Sequence, residues 1–158
     1  WTSFRDFWKM FYDEGAVVVA STYSKVGGLY DFGFRHDADH PLESLADYCL
    51  GCYTNLNLPS RIDMICSYID EYQADGLLIN SIKSCNSFSA GQLLILREVE
   101  KRTGKPAAFI ETDLVDPRYF SAANVKNRLE SYFQMIKQKR TSGTAHEMPR
   151  TIPIATAN

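Results

Sequence analysis

The sequence predicts an α/β fold: a small parallel sheet with helices on both faces, Rossmann- or flavodoxin-like and of a size that fits half of a larger architecture. Three observations carry this. Short β-branched or apolar runs alternate with longer segments of helical spacing, the pattern of strands joined through helices. The runs have strand length and show no polar alternation, as expected of strands covered on both sides. Turn and cap residues stand between them at the places where such units change direction.

Phe4, Phe7, Trp8 and Phe11 follow helical spacing, so residues 1–14 are expected as a helix closed by Gly15. Ala16-Val17-Val18-Val19-Ala20 reads as a first buried strand. Residues 21–40 are irregular, with Gly27-Gly28, Gly33 and a polar cluster from His36 to His40. Pro41 suits a first helical position, giving a helix over 41–50. Another helix starts near Pro59, with Ile62, Ile65, Cys66 and Ile69 on one face. Asp75-Gly76 then feeds a second strand over 75–80. Ser89 and Gln92 make a Ser-x-x-Gln capping box that predicts a helix running from there to about Arg102, capped by Gly104 and stopped by Pro106. A third strand occupies 106–111, and Ser121 caps a final helix over 122–139. Residues 1–140 thus form one domain, and 141–158, rich in Thr, Pro and Ala, an extended tail.

Composition narrows the function classes. With 158 residues, 45% hydrophobic and 23% charged, the chain is a single soluble globular unit. A net charge of −2 without a long single-sign run gives no electrostatic footprint for nucleic acid and no polybasic membrane patch. The longest apolar run has strand length, far short of the roughly 20 residues of a membrane-spanning helix. Four cysteines are too few for a disulfide scaffold, so a reducing cytoplasmic location is expected. The chain begins inside an amphipathic pattern and reads as an excerpt of something longer.

In parallel α/β folds, ligands bind beyond the carboxyl ends of the strands. Two segments leave strands at that edge: Ser81 to Ser87 and Glu111 to Arg118. Cys85 stands a few residues before the cap expected at Ser89, where free amides favour a thiolate, the form that binds iron. Lys83 adds positive charge. A small residue packed in a tight turn is the plainer alternative. Glu111, Asp113 and Arg118 cluster with Asp116 on the second segment, suited to ordering the loop and, alternatively, to contacting a substrate or another subunit. Cys49 and Cys52 have a spacing fit for zinc, a redox pair or a cluster, but no second Cys-x-x-Cys accompanies them; Cys49 is expected to end a helix facing the core. Cys66 belongs to an apolar face and is expected in the core. His36 and His40 have a metal-compatible spacing but lie in an acidic, polar loop that reads as solvated. No Gly-x-Gly-x-x-Gly or Walker pattern occurs, which argues against ATP binding by this chain.

Taken together, Ala74-Asp75-Gly76, Asn80-Ser81-x-x-Ser84-Cys85, Ser87-x-x-x-Gly91-Gln92, Glu111-x-Asp113-x-x-Asp116-x-Arg118-x-x-Ser121 and Arg128-x-x-x-x-Phe133 resemble the C-terminal half of subunits of the 2-hydroxyacyl-CoA dehydratase/benzoyl-CoA reductase family. The likeness covers about residues 58–137 and, more weakly, 1–57. The stretch Lys83 to Gln92 is most similar to B-type subunits of the ATP-dependent benzoyl-CoA reductase branch. Dehydratases commonly place a basic residue where this chain has Asn86.

The resemblance implies two α/β halves per subunit and a 4Fe–4S cluster between them on three cysteines. One of these is Cys85, with Ser84 behind it; the other two belong to the N-terminal half. It also implies a related catalytic subunit, an ATP-hydrolysing iron–sulfur activator, ferredoxin as upstream donor and an acyl-CoA substrate, without nucleic acid or membrane. In the reductase branch the reaction is dearomatization of benzoyl-CoA in anaerobic aromatic degradation; in the dehydratase branch, radical loss of water from a 2-hydroxyacyl-CoA. The cofactor carries the hard chemistry in either case. A subunit that only relays electrons, and a flavodoxin-like binding module without metal, are the alternatives from other functional classes.

Overall fold

The computed structural model describes residues 6–22, 36–113 and 116–143. The elements in order are α1 (Phe7–Asp13), α2 (Pro41–Leu50), a 3-10 turn (Tyr53–Asn55), α3 (Leu58–Glu71), β1 (Leu77–Ile82), the one-turn α4 (Asn86–Ser89), α5 (Gln92–Thr103), β2 (Ala107–Thr112), a second 3-10 turn (Pro117–Tyr119) and α6 (Ala122–Gly143). β1 and β2 pair in parallel, with Leu77 opposite Ala107 and Ile82 opposite Thr112. The sheet among the described residues is therefore two-stranded, with α5 in the crossover.

The strands alternate sides, as the two-residue period of a pleated sheet requires. Leu77, Ile79 and Phe109 pack with Ile62, Ile65, Cys66 and Ile69 of α3 and Ile95 and Val99 of α5. Leu78, Ala108 and Ile110 pack on the other face with Phe7 and Phe11 of α1 and Val125, Leu129, Tyr132 and Phe133 of α6. The result is three layers, helix–sheet–helix, with one apolar cluster on each side of the strands. Val99, Ile110 and Leu129 are fully buried, and each aliphatic side chain of this kind contributes about 1.5–3 kcal/mol.

Local chemistry explains several element ends. Asn57 caps α3 by accepting from the Ser60 amide at 2.9 Å, with Pro59 in the first turn. Ser121 Oγ accepts from the Asn124 amide at 3.4 Å at the start of α6. Gly104 ends α5 by donating to Glu100 O. Gly76 is required by close approach. A Cβ there would lie 2.6 Å from Tyr132 Oη and 2.8 Å from Pro106 O.

Several expectations are corrected. Ala16 to Ala20 does not form a strand: among the described residues the segment has no pairing partner, and Val17, Val18 and Val19 are exposed. Only Ala16 reaches the core, beside α1 and α6. β-branched composition reports a fit to a half-buried pleated surface and does not create the neighbouring strand. The capping box is also absent. Ser89 ends α4, its hydroxyl donating to Cys85 O at 3.0 Å. Gly91, in the left-handed region, is the N-cap of α5, and Gln92 is buried with no hydrogen-bond partner for its Oε1 among the described residues. Cys49 is exposed rather than core-facing. The last helix continues to Gly143, past the start expected for the tail. Gly27-Gly28, Gly33 and residues 144–158 lie outside the described residues.

Candidate functional site

The carboxyl edge of the sheet is where the two candidate segments meet. β1 ends at Ile82 and β2 at Thr112, in register. The ladder is prolonged by the Lys83 amide donating to Thr112 O at 3.1 Å. Beneath this edge, fully buried Thr112 donates through Oγ1 to Asn80 Oδ1 at 2.7 Å. That bond ties the two strand ends together from the side chains.

Above it, Asp113 binds the opposite loop. Its Oδ2 accepts from the Ser84 amide at 2.8 Å, and its Oδ1 accepts from the Ser84 hydroxyl at 3.2 Å. The same Oδ1 accepts from the Asp116 amide at 3.0 Å. One carboxylate thus holds both loops at once. Charge-assisted bonds to backbone amides are the stronger class of hydrogen bond, so this is the main tie between the two loops.

Cys85 follows directly. Its amide donates to Ile82 O at 3.0 Å, closing a tight turn at the strand end. Its carbonyl accepts from the Phe88 and Ser89 amides, at 3.2 and 3.0 Å, which opens α4. The thiol is free and half-buried, and it makes no capping bond. The placement differs from the sequence expectation in one respect. The long helix α5 begins at Gln92, seven residues after Cys85, so Cys85 stands before a single helical turn instead of at the head of a long dipole.

The charged residues around this turn pair with one another. Lys83 Nζ lies 3.5 Å from Glu111 Oε1 and 5.1 Å from the centre of the Tyr119 ring. Arg118 donates from Nε and Nη2 to the two Asp116 oxygens, at 2.9 and 2.5 Å, and also through its amide at 3.0 Å. These donors hold the Asp116 carboxyl below the usual carboxylate range. The Asp113, Asp116 and Arg118 cluster therefore orders its own loop. Glu111, Lys83, Ser84 and Arg118 present exposed side chains at the same edge.

The other sequence candidates lie elsewhere. Cys49 and Cys52 flank the end of α2, where the Cys52 amide donates to Cys49 O at 3.1 Å. Cys66 is buried in the α3 face, and burial pushes its thiol pKa up. His40 Nδ1 is 3.1 Å from Asp37 Oδ2 on an exposed loop. Among the described residues no group of three or more His, Cys, Asp and Glu side chains is arranged to hold a metal ion. No described helix is long and apolar enough to cross a membrane.

Sequence reasoning missed Arg61. It lies on the buried side of α3, and its guanidinium donates to Leu56 O at 2.9 Å, Thr54 O at 2.5 Å and Ser87 O at 3.1 Å. The signal was present: a charged residue at helical spacing with Ile65 and Ile69, on the apolar stripe.

Comparison with known proteins places the chain in a family. Residues 1–136 match the family described as 2-hydroxyglutaryl-CoA dehydratase, D-component. The chain is 79% identical over 144 residues, 91% of its length, to the B-type subunit of benzoyl-CoA reductase from Thauera aromatica, of which it covers 33%. It is 23% identical over 123 residues, 77% of its length, to the alpha subunit of lactoyl-CoA dehydratase from Anaerotignum propionicum, of which it covers 28%. The chain spans about a third of the length of these curated relatives. With the family match spanning both strands and every described helix except the last turns of α6, the chain belongs to the 2-hydroxyglutaryl-CoA dehydratase D-component family.

Proposed function

We propose that this chain is the α/β part of a benzoyl-CoA reductase subunit and that Cys85 supplies one thiolate to a 4Fe–4S cluster. In this reading the chain up to the end of α6 at Gly143 is the C-terminal domain of an iron–sulfur subunit, and the tail begins after it. The observation that carries it is a free, half-buried thiol at the carboxyl edge of a parallel sheet, in a chain 79% identical to a benzoyl-CoA reductase subunit.

The residues present fit such a group in part. Cys85 is a soft donor held by its backbone rather than by its sulfur. A cluster takes several thiolates, and among the described residues no group of three or more potential ligands gathers. The remaining ligands are therefore assigned to the N-terminal half of the complete subunit. When bound, the cluster would supply electrons at low potential to the acyl-CoA thioester.

The chain's own contribution is positional. The Cys85 amide on Ile82 O and the Ser84–Asp113 bonds fix where the thiol stands. Glu111, Asp113 and Arg118 stand at the same sheet edge, on the end of β2 and the segment after it, where an acyl-CoA or a neighbouring subunit would make contact. The partners assigned on this reading are a related catalytic subunit, an ATP-hydrolysing iron–sulfur activator fed by ferredoxin, and an aromatic acyl-CoA, in the cytoplasm.

The test is made in the complete anaerobic complex. Cys85→Ser is expected to remove most cluster iron and benzoyl-CoA reduction, whereas Cys66→Ser leaves both largely intact. A Cys85→Ser protein with full iron and turnover refutes the assignment. Turnover of 2-hydroxyacyl-CoAs without benzoyl-CoA reduction would place the chain in the dehydratase branch instead.

A further inference from the structure

We infer that Arg61 is a positioning residue for the Cys85 turn, a buried guanidinium that locks the chain after Cys52 onto the short helix after Cys85. The inference deepens the reading of Cys85 given above and rests on it for its functional consequence.

Arg61 is only 9% exposed. Its described polar contacts are three backbone carbonyls, and its guanidinium carbon stands 5.1 Å from the centre of the buried Tyr53 ring. Burying a charge is costly unless its donors are satisfied. Here the fork of donors is met by carbonyls that belong to two different segments. Thr54 and Leu56 lie in the turn that follows Cys52, and Ser87 lies inside α4.

The Ser87 bond is the one that matters for the site. α4 is a single turn of four residues, too short to be stable alone. Its amides at Phe88 and Ser89 hang on the Cys85 carbonyl. Arg61 takes up the Ser87 carbonyl, and Phe88 and Tyr53 pack with ring centres 5.9 Å apart. Cys85 is thereby held from two directions: Asp113 through Ser84 on one side, and Arg61 through α4 on the other.

Lysine cannot replace this arrangement, because a point ammonium does not present a planar fork to three separated acceptors. The full-length subunit carrying Arg61→Lys should therefore keep its fold but loosen α4. Amide hydrogen exchange at Phe88, Ser89 and Ala90 should quicken about tenfold or more, while Ile95 and Val99 exchange as before. In iron-free protein the alkylation rate of Cys85 by iodoacetamide should change severalfold, with Cys66 unaffected. In reconstituted protein the electron paramagnetic resonance spectrum of the reduced cluster should shift. Unchanged exchange at 88–90 with unchanged Cys85 alkylation overturns the inference. So does equal loosening of Ile95 and Val99. In the unmodified subunit the Arg61 Nε–H should exchange slowly with solvent; rapid exchange overturns the latch even where the variant fails to fold. The two readings separate cleanly. If Arg61→Lys frees α4 while Cys85→Ser retains full iron, the latch stands and the cluster assignment falls.

Discussion

Asp113 accepts from both the amide and the hydroxyl of Ser84, at 2.8 and 3.2 Å, across 29 residues of sequence. The loop leaving β2 thus holds the residue that precedes Cys85. The pairing depends on the parallel sheet, which delivers both strand ends to one edge.

Removing that carboxylate should cost stability and order. Asp113→Ala is expected to destabilise by about 0.5–1.5 kcal/mol, since it removes the acceptor shared by the Ser84 and Asp116 amides at a site that water can reach. Asp113→Asn keeps an oxygen acceptor and should lose less. Urea denaturation of the three proteins measures the difference. Equal midpoints for Asp113→Ala and the unmodified chain would show that the clamp contributes nothing.

Gly76 meets a different constraint. Gly76→Ala would push a methyl against Tyr132 Oη and Pro106 O, at 2.6 and 2.8 Å. A loss of about 1–3 kcal/mol is expected from the crowding. Adding Tyr132→Phe removes the hydroxyl but not the carbonyl, so thermal melts of the double variant should show only partial recovery.

Thiol accessibility should rank the cysteines. Cys49 is exposed, Cys52 and Cys85 are half-buried, and Cys66 is buried with its thiol pKa pushed up by burial. In iron-free protein under native conditions, Cys49 should label first. Cys66 should label only as fast as the chain opens, because both the low thiolate fraction and the packing oppose reaction. Mass spectrometry after a short alkylation pulse reads the order, and early labelling of Cys66 would contradict the core placement.

Asp116 gives a pH signature. Arg118 bonds hold its carboxyl low in the folded state, while in the unfolded chain it returns to about 3.9. A depressed folded value means that the stabilisation is present above the unfolded value and is lost as pH falls through the lower folded one. In carbon-detected NMR titration Asp116 should therefore protonate at lower pH in the folded chain than in the unfolded one. Arg118→Gln should bring its midpoint back up; an unmoved midpoint would show that Arg118 is not the cause.

Several features were legible in the residues because they are local. Ser121 and Gly104 begin and end helices through bonds within a few positions. Ile62, Ile65, Cys66 and Ile69 recur with the helical period and are all buried. Leu77–Ile82 and Ala107–Thr112 fall within two residues of the expected strands. Ser89 and Gln92 misled because their spacing suits a capping box, while Gly91 between them breaks the helix path.

By itself the sequence determined the alternation of strands and helices, the placing of helices on both faces of the sheet and the edge at which Cys85 would stand. These follow from periodicity and caps, which act over a few residues. Only the tertiary structure decided that Val17 to Val19 remain unpaired among the described residues, and that Asp113 turns its oxygens to Ser84 and Asp116. It also decided that Arg61 turns inward to Ser87, 26 residues away. A strand needs a neighbour, and a buried charge needs acceptors. Which distant residue supplies them is fixed by how the layers pack, a relation that no local pattern encodes.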